Sequence, residues 1–238
     1  MTEPKLTLQR LDNTTLGDKA TAALLEHIRA QQLKPGSALP SEAKLTELLG
    51  VSRPVVREAL RNLRGLGIVE ILNGRGAIVG QLNSTSLEVF FAHALQTTSN
   101  SVIELMELRL GLECEAAALA AERHDAEDAT AMQALLLEMR AALGDAQRYS
   151  QLDADLHVAI ARASGNSLYE RMIQSIRVAM QDASLRGMQL RVNLEEVNAV
   201  QRMHEAIVSA VLARDADAAF HEMKQHMVMA ARALERKP

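Results

Sequence analysis

The chain has 238 residues, which allows one large domain or two modest ones, and we take two as the working interpretation. Hydrophobic residues make up 48% and charged residues 24%, a composition that argues against a disordered or fibrous chain. Aromatic residues are only 2%, and Gly and Pro number 12 and 5, whereas Ala, Leu, Met and Glu are abundant. This composition favours helices and excludes an all-β fold.

Cysteine use and hydropathy indicate the compartment. Cys114 is the single cysteine, so neither an intramolecular disulfide nor a cysteine metal cluster is possible. The first thirty residues lack the apolar core of a signal peptide, and no run of about 18 apolar residues could span a bilayer. We therefore expect a cytoplasmic protein with no membrane partner.

The net charge of −4 conceals an asymmetry along the chain. Residues 1–80 hold 11 Lys and Arg against 8 Asp and Glu, whereas residues 81–238 hold 15 against 22. Phosphate contacts need clustered Lys or Arg, so only the first part is expected to approach a polyanion. The polar, turn-forming residues 81–86 predict a linker, which places the two domains at 1–80 and 87–238.

The N-terminal segment predicts three helices followed by a hairpin. Apolar residues recur at helical spacing over 16–32, and Ser41 and Ser52 stand where the N-caps of two further short helices belong. Two β-like stretches within residues 68–79 flank an Asn-Gly step, which favours a tight hairpin with Arg75 at its tip. Short helices joined by a tight turn and followed by a hairpin outline a winged helix-turn-helix.

The third predicted helix is basic on one side. At about 100° per residue, Arg53, Arg57, Arg61 and Arg64 fall within an arc of about 80°. The opposite side is apolar and carries Val55, Val56, Ala59, Leu63 and Leu66. A solvated charged face would give the same pattern, but the adjoining hairpin favours a DNA-recognition helix beside a wing.

Several motifs within residues 16–80 carry a family resemblance. They read Pro-Ser-Glu at 40–42, Gly-Val-Ser-Arg at 50–53, Val-Arg-Glu-Ala-Leu at 56–60 and Gly-Ile-Val-Glu at 67–70. Together they closely resemble the winged helix-turn-helix of GntR-family transcription regulators. One departure is Ala43, where many members have a residue able to reach DNA, so one contact is missing or is moved to Lys44. The resemblance implies a homodimer that reads a short palindrome in double-stranded DNA.

The expected contacts follow from groove chemistry. Arg pairs bidentately with guanine in the major groove, so Arg53 and Arg57 are the candidates for sequence readout. Lys44, Arg61 and Arg64 are expected to position phosphates, although Arg61 and Arg64 could equally face solvent or a dimer partner. We expect Arg75 to enter the minor groove. The complete expected set is Ser41, Lys44, Ser52, Arg53, Arg57, Arg61 and Arg75.

The second half of the chain is helical throughout by apolar spacing. Breaks at Gly, Asn, Ser or Asp separate about seven helices, over 87–95, 102–123, 125–143, 146–163, 168–185, 194–213 and 216–234. We expect an antiparallel bundle, whose interior is a common place for ligand or metal sites. The predicted fold class is therefore mainly α, with a winged helix-turn-helix followed by an antiparallel bundle of about seven α-helices.

Three of the seven histidines are predicted to face the bundle interior. His157 follows Asp153 by four residues, so both project from one helix face, and His204 and His226 share faces with apolar neighbours. One Asp with three His suits zinc, nickel, manganese or iron, with water completing the shell. Each inward His could instead be a core residue satisfied by a local hydrogen bond, and the pattern leaves both interpretations open.

A second resemblance covers nearly all of residues 86–235. It rests on Glu-Leu-Arg at 107–109, Glu113, Ala-Ala-Glu-Arg at 120–123, Asp153, His157, Ala-Ser-Gly-Asn at 163–166, His-Glu-Ala-Ile at 204–207 and His226. These resemble the ligand-binding (FCD) domain of the FadR-like branch of the family. The resemblance implies that Asp153, His157, His204 and His226 hold a divalent metal ion, zinc first among the candidates. Leu156 replaces the usual aromatic residue and can alter the pocket shape.

The resemblance also implies a small carboxylate effector, such as a sugar acid, a hydroxy acid or an aromatic acid. Family members commonly bind it with the metal and an Arg, which Arg109 matches, although Arg109 could instead form a helix salt bridge with Glu113. Asn166 either binds the effector or terminates a helix.

The predicted function is a ligand-responsive transcription regulator, acting as a repressor, and not an enzyme. A metal-dependent hydrolase could use the same ligands with an activated water, but it would need a general acid or base and would leave the winged module unexplained. A non-specific structural DNA protein is the other alternative, and it predicts no effector and no preferred site.

Overall fold

The computed structural model describes residues 14–72, 76–81, 83–97, 101–191 and 193–235. The chain divides into two compact units, residues 1–86 and 87–238, and buried hydrophobic clusters lie within each. Within the described ranges, no helix is both long enough and apolar enough to cross a membrane.

The first unit begins with three helices. These are α1 Leu16–Ala30, α2 Glu42–Leu49 and α3 Arg53–Gly65. Thr15 and Asp18 form a capping box at the start of α1, and the side chain of Ser41 caps α2. Gly50 ends α2 at φ 63°, a left-handed conformation that costs glycine little, and Pro54 stands in the first turn of α3. Local capping chemistry therefore sets the two short helices and the turn between them.

A two-stranded antiparallel wing follows α3. It pairs β1 Val69–Leu72 with β2 Gly76–Val79, in a register that sets Val69 opposite Val79 and Leu72 opposite Gly76. The core beneath it joins α1, α3 and β1 through buried residues such as Leu24, Leu63 and Val69. The predicted hairpin tip with Arg75 lies outside the described residues. The predicted winged helix-turn-helix is confirmed.

Eight helices follow the wing in the described part of the chain. They are α4 Thr85–Thr97, α5 Ser101–Arg123, α6 Ala126–Ala141, α7 Ala146–Ala163, α8 Ser167–Ser175, α9 Arg177–Gln189, α10 Leu194–Leu212 and α11 Ala216–Glu235. The mainly α fold class is confirmed. Helix α4 begins at Thr85, inside the segment predicted as a linker.

The helix predicted over 168–185 is in fact two helices. It breaks at Ile176, whose φ of −103° and ψ of 6° depart from α-helical geometry. These residues contain neither Gly nor Pro. At the break, Ile176 is buried with Ile173 and Met180 in one apolar cluster, and the Ser175 hydroxyl donates to the Met172 carbonyl at 2.6 Å.

Helices α5, α7, α10 and α11 contact one another around the interior of the second unit. Helix α5 packs against α7, α10 and α11, and α10 packs against α11. Each contributes buried polar side chains to an otherwise apolar core, namely Arg109, Glu113, Asp153, His157, Gln201, His204 and His226. Buried polar groups need partners, so this cluster marks the candidate site.

Candidate metal centre and DNA-binding surface

Asp153, His157, His204 and His226 meet inside the second unit. Helix α7 supplies the first two residues, α10 the third and α11 the fourth, and every one is at most 5% exposed. One potential ligand atom from each residue lies within 4.8 Å of the others. Four donor atoms from three helices therefore converge on one point.

The imidazole rings lie close together, and those of His157 and His226 are stacked with centroids 5.1 Å apart. The ring centroid of His204 is 4.4 Å from that of His226 and 5.6 Å from that of His157. Among the described residues, both ring nitrogens of His157 and Nε2 of His204 lack an aligned hydrogen-bond partner, although Asp153 Oδ1 is 2.9 Å from His204 Nε2. Leaving buried polar atoms unsatisfied is costly, and a metal ion at the common point would satisfy one ring nitrogen of each histidine. The cluster is compatible with a metal site.

Burial and neighbouring charge set the protonation of these groups. Burial lowers the pKa of His204, against the opposing effect of Asp153, and burial together with His204 and His157 lowers the pKa of His226 further. Burial alone would raise the pKa of Asp153, but the contact with His204 and the other imidazoles holds it well below its usual range. A neutral imidazole and an ionised carboxylate are the forms that bind metal.

A buried carboxylate on α5 backs His157. Glu113 Oε2 lies in ion-pair contact with His157 Nδ1, and Glu113 Oε1 accepts a hydrogen bond of 2.6 Å from Arg109 Nε. The helix salt bridge weighed for Arg109 is therefore present. Sequence reasoning named Glu113 in the family resemblance and as that partner, but it did not place Glu113 beside His157. Its contact with His157 joins two helices and has no signal in the local spacing.

A second group of polar side chains backs His204, and the sequence reasoning missed it. The Tyr149 hydroxyl lies 3.2 Å from His204 Nδ1 and donates to Gln201 Oε1 at 3.2 Å. Tyr149 precedes Asp153 by four residues, so helical spacing could have placed both on one face of α7. Tyr149 is fully buried, which raises the pKa of its hydroxyl.

A small cavity of about 30 Å³ lies beside the cluster. Its lining includes Arg109, Asp153, His226 and Arg191, so the predicted effector-binding Arg does face the centre. Asn166 is placed differently, because it is the N-cap of α8 and its side chain accepts a hydrogen bond from the Leu168 amide at 3.0 Å. Its predicted effector contact stays a prediction.

The expected DNA-contacting side chains lie on α2, on α3 and at the turn between them. Ser52 and Arg53 stand at the exposed N-terminus of α3. Arg57 is exposed and pairs with Glu42 at 2.9 Å, and its carbonyl accepts a 3.3 Å hydrogen bond from Arg61 Nε. Ser41 and Lys44 complete the described part of the expected set. The Ser41 side chain caps the start of α2, and Lys44 is exposed and pairs with Glu47 at 3.0 Å.

Comparison with known proteins identifies the class. Residues 16–79 match the family of bacterial regulatory proteins named gntR, and residues 104–229 match the FCD domain. The fold and these matches define a DNA-binding transcription regulator. The chain belongs to the GntR family, in the group that carries an FCD domain, and the resemblance noted in its sequence is confirmed.

Several curated relatives cover most of the chain. The HTH-type transcriptional regulator LutR of Bacillus subtilis is 30% identical, over 84% of this chain and 92% of its own. The Glc operon transcriptional activator of Escherichia coli is 33% identical over 82% and 79%, and the HTH-type transcriptional repressor NanR of an Enterobacter species is 30% identical over 89% and 82%. These relatives are regulators, which confirms that the chain is not an enzyme.

A solved structure shows the same fold. Streptococcus agalactiae GntR superposes with a TM-score of 0.68 at 24% identity, covering 91% of this chain and 99% of that one. At this level of identity the likeness concerns the fold alone.

Proposed function

We propose that the protein is a metal-dependent, ligand-responsive transcription regulator. The observation that carries the proposal is the convergence of Asp153, His157, His204 and His226, which are all buried and have ligand atoms within 4.8 Å of one another. Zinc is the metal that we expect first, with nickel, manganese and iron as the other candidates, because imidazole suits all four. A bound ion would supply positive charge at the floor of the cavity.

Charge balance supports a carboxylate effector. The buried charges of Arg109, Glu113 and Asp153 leave one net negative charge, and a divalent ion would turn this into one net positive charge. A buried net charge is unfavourable, so an anionic ligand beside Arg109 would be stabilised. We therefore propose a small organic acid as the effector, held by the metal and Arg109.

On the DNA side we propose a homodimer that reads a palindromic operator. Arg53 and Arg57 would contact base edges, while Ser41, Ser52, Lys44 and Arg61 would position phosphates. Effector binding would then favour one arrangement of the bundle and change the spacing of the two α3 helices. The named relatives include an activator and a repressor. We propose a repressor, whose affinity for its operator the effector changes.

Thermal unfolding tests the sensor. Metal-loaded and chelated protein would be heated with a panel of small carboxylic acids, because a ligand that binds only the folded state raises its stability. One acid should stabilise only the metal-loaded form, and the same acid should change the affinity for an operator selected from random DNA.

Two matched variants sharpen the test. His204→Ala should abolish the metal-dependent shift, whereas His221→Ala, an exposed histidine on α11, should keep it. If His204→Ala leaves metal content and effector affinity unchanged, the proposed metal site is wrong.

A further inference from the structure

The contacts behind His204 form a hydrogen-bond network that runs outward to the surface. Arg140 donates to Glu205 Oε1, Gln201 Nε2 donates to the same oxygen at 2.9 Å, Tyr149 donates to Gln201 Oε1, and the Tyr149 oxygen lies 3.2 Å from His204 Nδ1. Arg140 is about 62% exposed, whereas Tyr149 and His204 are fully buried. The network therefore links the surface to the ligand cluster.

The direction of each hydrogen bond in this network is fixed from its outer end. Arg has only donors and an ionised Glu only acceptors, so Glu205 Oε1 can accept but cannot donate. Gln201 must turn its amide nitrogen toward Glu205 and toward the Leu136 carbonyl, which is 3.3 Å from that nitrogen. Its amide oxygen is then left to face Tyr149. An inverted amide would set an oxygen against two acceptors.

The same reasoning indicates which ring nitrogen of His204 carries the proton. Tyr149 has one hydroxyl proton, which it donates to Gln201 Oε1, so its oxygen can only accept from His204. The hydrogen bonds on this side of the ring therefore favour a proton on His204 Nδ1, in competition with Asp153 Oδ1, which lies 2.9 Å from Nε2 and favours a proton there. His204 Nε2, which is buried and lacks an aligned partner among the described residues, is the nitrogen that faces the ligand cluster.

We propose that Tyr149, oriented by Gln201 and the Arg140–Glu205 ion pair, is a positioning residue that holds the His204 proton on Nδ1 and presents Nε2 to the metal. The proposal rests on the metal site proposed above. Groups that hydrogen-bond to a ligand His fix its tautomer and ring orientation, and their loss commonly weakens metal binding about 10- to 100-fold.

The first test uses the metal-free wild-type protein. A long-range ¹H–¹⁵N correlation spectrum of protein labelled with ¹⁵N-histidine reports which ring nitrogen carries the proton, and comparison with His204→Gln assigns the signal. We expect His204 protonated on Nδ1. In Tyr149→Phe the proton should move to Nε2, where Asp153 Oδ1 is 2.9 Å away. A wild-type His204 protonated on Nε2 overturns the proposal.

The second test measures binding of Zn²⁺ by competition with a chelator, and the visible spectrum of the Co²⁺-loaded protein. Tyr149→Phe keeps the ring in the core and should weaken Zn²⁺ binding about 10- to 100-fold while altering the Co²⁺ spectrum. Tyr169→Phe removes the other tyrosine hydroxyl of the chain, on α8, and should change neither. Equal Zn²⁺ affinity and an unchanged spectrum in Tyr149→Phe would contradict the positioning role.

Failure of the proposed function has a different signature. If the wild-type protein binds no divalent ion, the metal site is wrong, yet the tautomer of metal-free His204 still decides whether Tyr149 positions the ring. Gln201→Leu provides a second variant in case Tyr149→Phe does not fold. Without the Gln201 acceptor the Tyr149 hydroxyl is free to donate to Nδ1, so the same shift of the proton to Nε2 is expected.

Discussion

Arg109 and Glu113 form an ion pair that is buried at both ends, with Arg109 Nε 2.6 Å from Glu113 Oε1 and the two side chains 3% and 1% exposed. Burial alone would raise the pKa of Glu113, but Arg109 and His157 outweigh it and lower that pKa to about 2. Both side chains are charged in the interior, so each charge is stabilised by the opposite charge of its partner.

Removing one partner should be strongly destabilising. Arg109→Met leaves the Glu113 carboxylate buried with its main counter-charge lost, and we expect about 3–5 kcal/mol less free energy of unfolding. The double variant Arg109→Met with Glu113→Gln should recover much of that loss, because no buried charge is left unpaired at this position. Urea unfolding of the metal-free variants measures both values. Additive losses would show that the pair is not coupled.

The Arg57–Glu42 ion pair competes with the proposed DNA contact of Arg57. The two side chains are 64% and 42% exposed, so breaking the pair should change stability little. Glu42→Gln should therefore strengthen DNA binding, because it frees Arg57 and removes a negative charge near the phosphates. Fluorescence anisotropy with a labelled duplex measures the affinity. Unchanged affinity in Glu42→Gln, with Arg57→Ala also at wild-type affinity, would place Arg57 away from DNA.

Arg53 should contribute to sequence selectivity. Arg53→Ala is expected to cost about 1–3 kcal/mol of binding to a selected operator and to leave effector binding unchanged. Arg29→Ala, an exposed arginine at the end of α1 that pairs with Glu26, serves as the matched loss of charge outside α3. Competition with unrelated DNA separates a loss of sequence selectivity from a general loss of positive charge. If Arg53→Ala lowers the affinity for operator and for unrelated DNA equally, Arg53 contacts phosphates and does not read the sequence.

Arg214 should stabilise the second unit by capping α5. Its guanidinium donates to the carbonyls of Glu122 at 3.1 Å and His124 at 2.9 Å, while its own backbone adopts a φ of 58°. Arg214→Ala loses both charge-assisted hydrogen bonds and should cost about 1–3 kcal/mol of unfolding free energy.

Arg214→Gly provides the internal comparison for this cap. It loses the same hydrogen bonds but relieves the left-handed backbone strain, so it should be about 1 kcal/mol more stable than Arg214→Ala. Thermal unfolding would reveal the order of the two variants. The reverse order would mean that the positive φ carries no cost at this position.

Residues close in sequence were the most predictable. Ser41, Gly50 and Pro54 each mark a helix end through local chemistry, so the helix-turn-helix follows from spacing alone. Inward-facing His157 and His204 were also accessible, because helical periodicity assigns them to apolar faces.

Contacts between distant helices were not predictable. The break at Ile176 has no Gly or Pro beside it to mark it in the sequence. Likewise, Tyr149 contacts Gln201 and Glu113 contacts His157 across separations of 52 and 44 residues. Both contacts form only because the helices that carry these residues lie side by side. Periodicity gives the face of each residue and leaves its partner undetermined.

The small cavity beside the ligand cluster has a kinetic consequence. Its volume of about 30 Å³ holds only about one or two water molecules, so an acid of several carbon atoms fits only after the surrounding wall moves. The walls of this cavity and of a larger cleft between α10 and α11 share four residues, Arg191, Val200, Ala230 and the proposed ligand His226. If such an acid binds in this cavity, its observed rate of binding should therefore level off at high acid concentration. The limiting rate would be the rate at which the wall of the cavity opens.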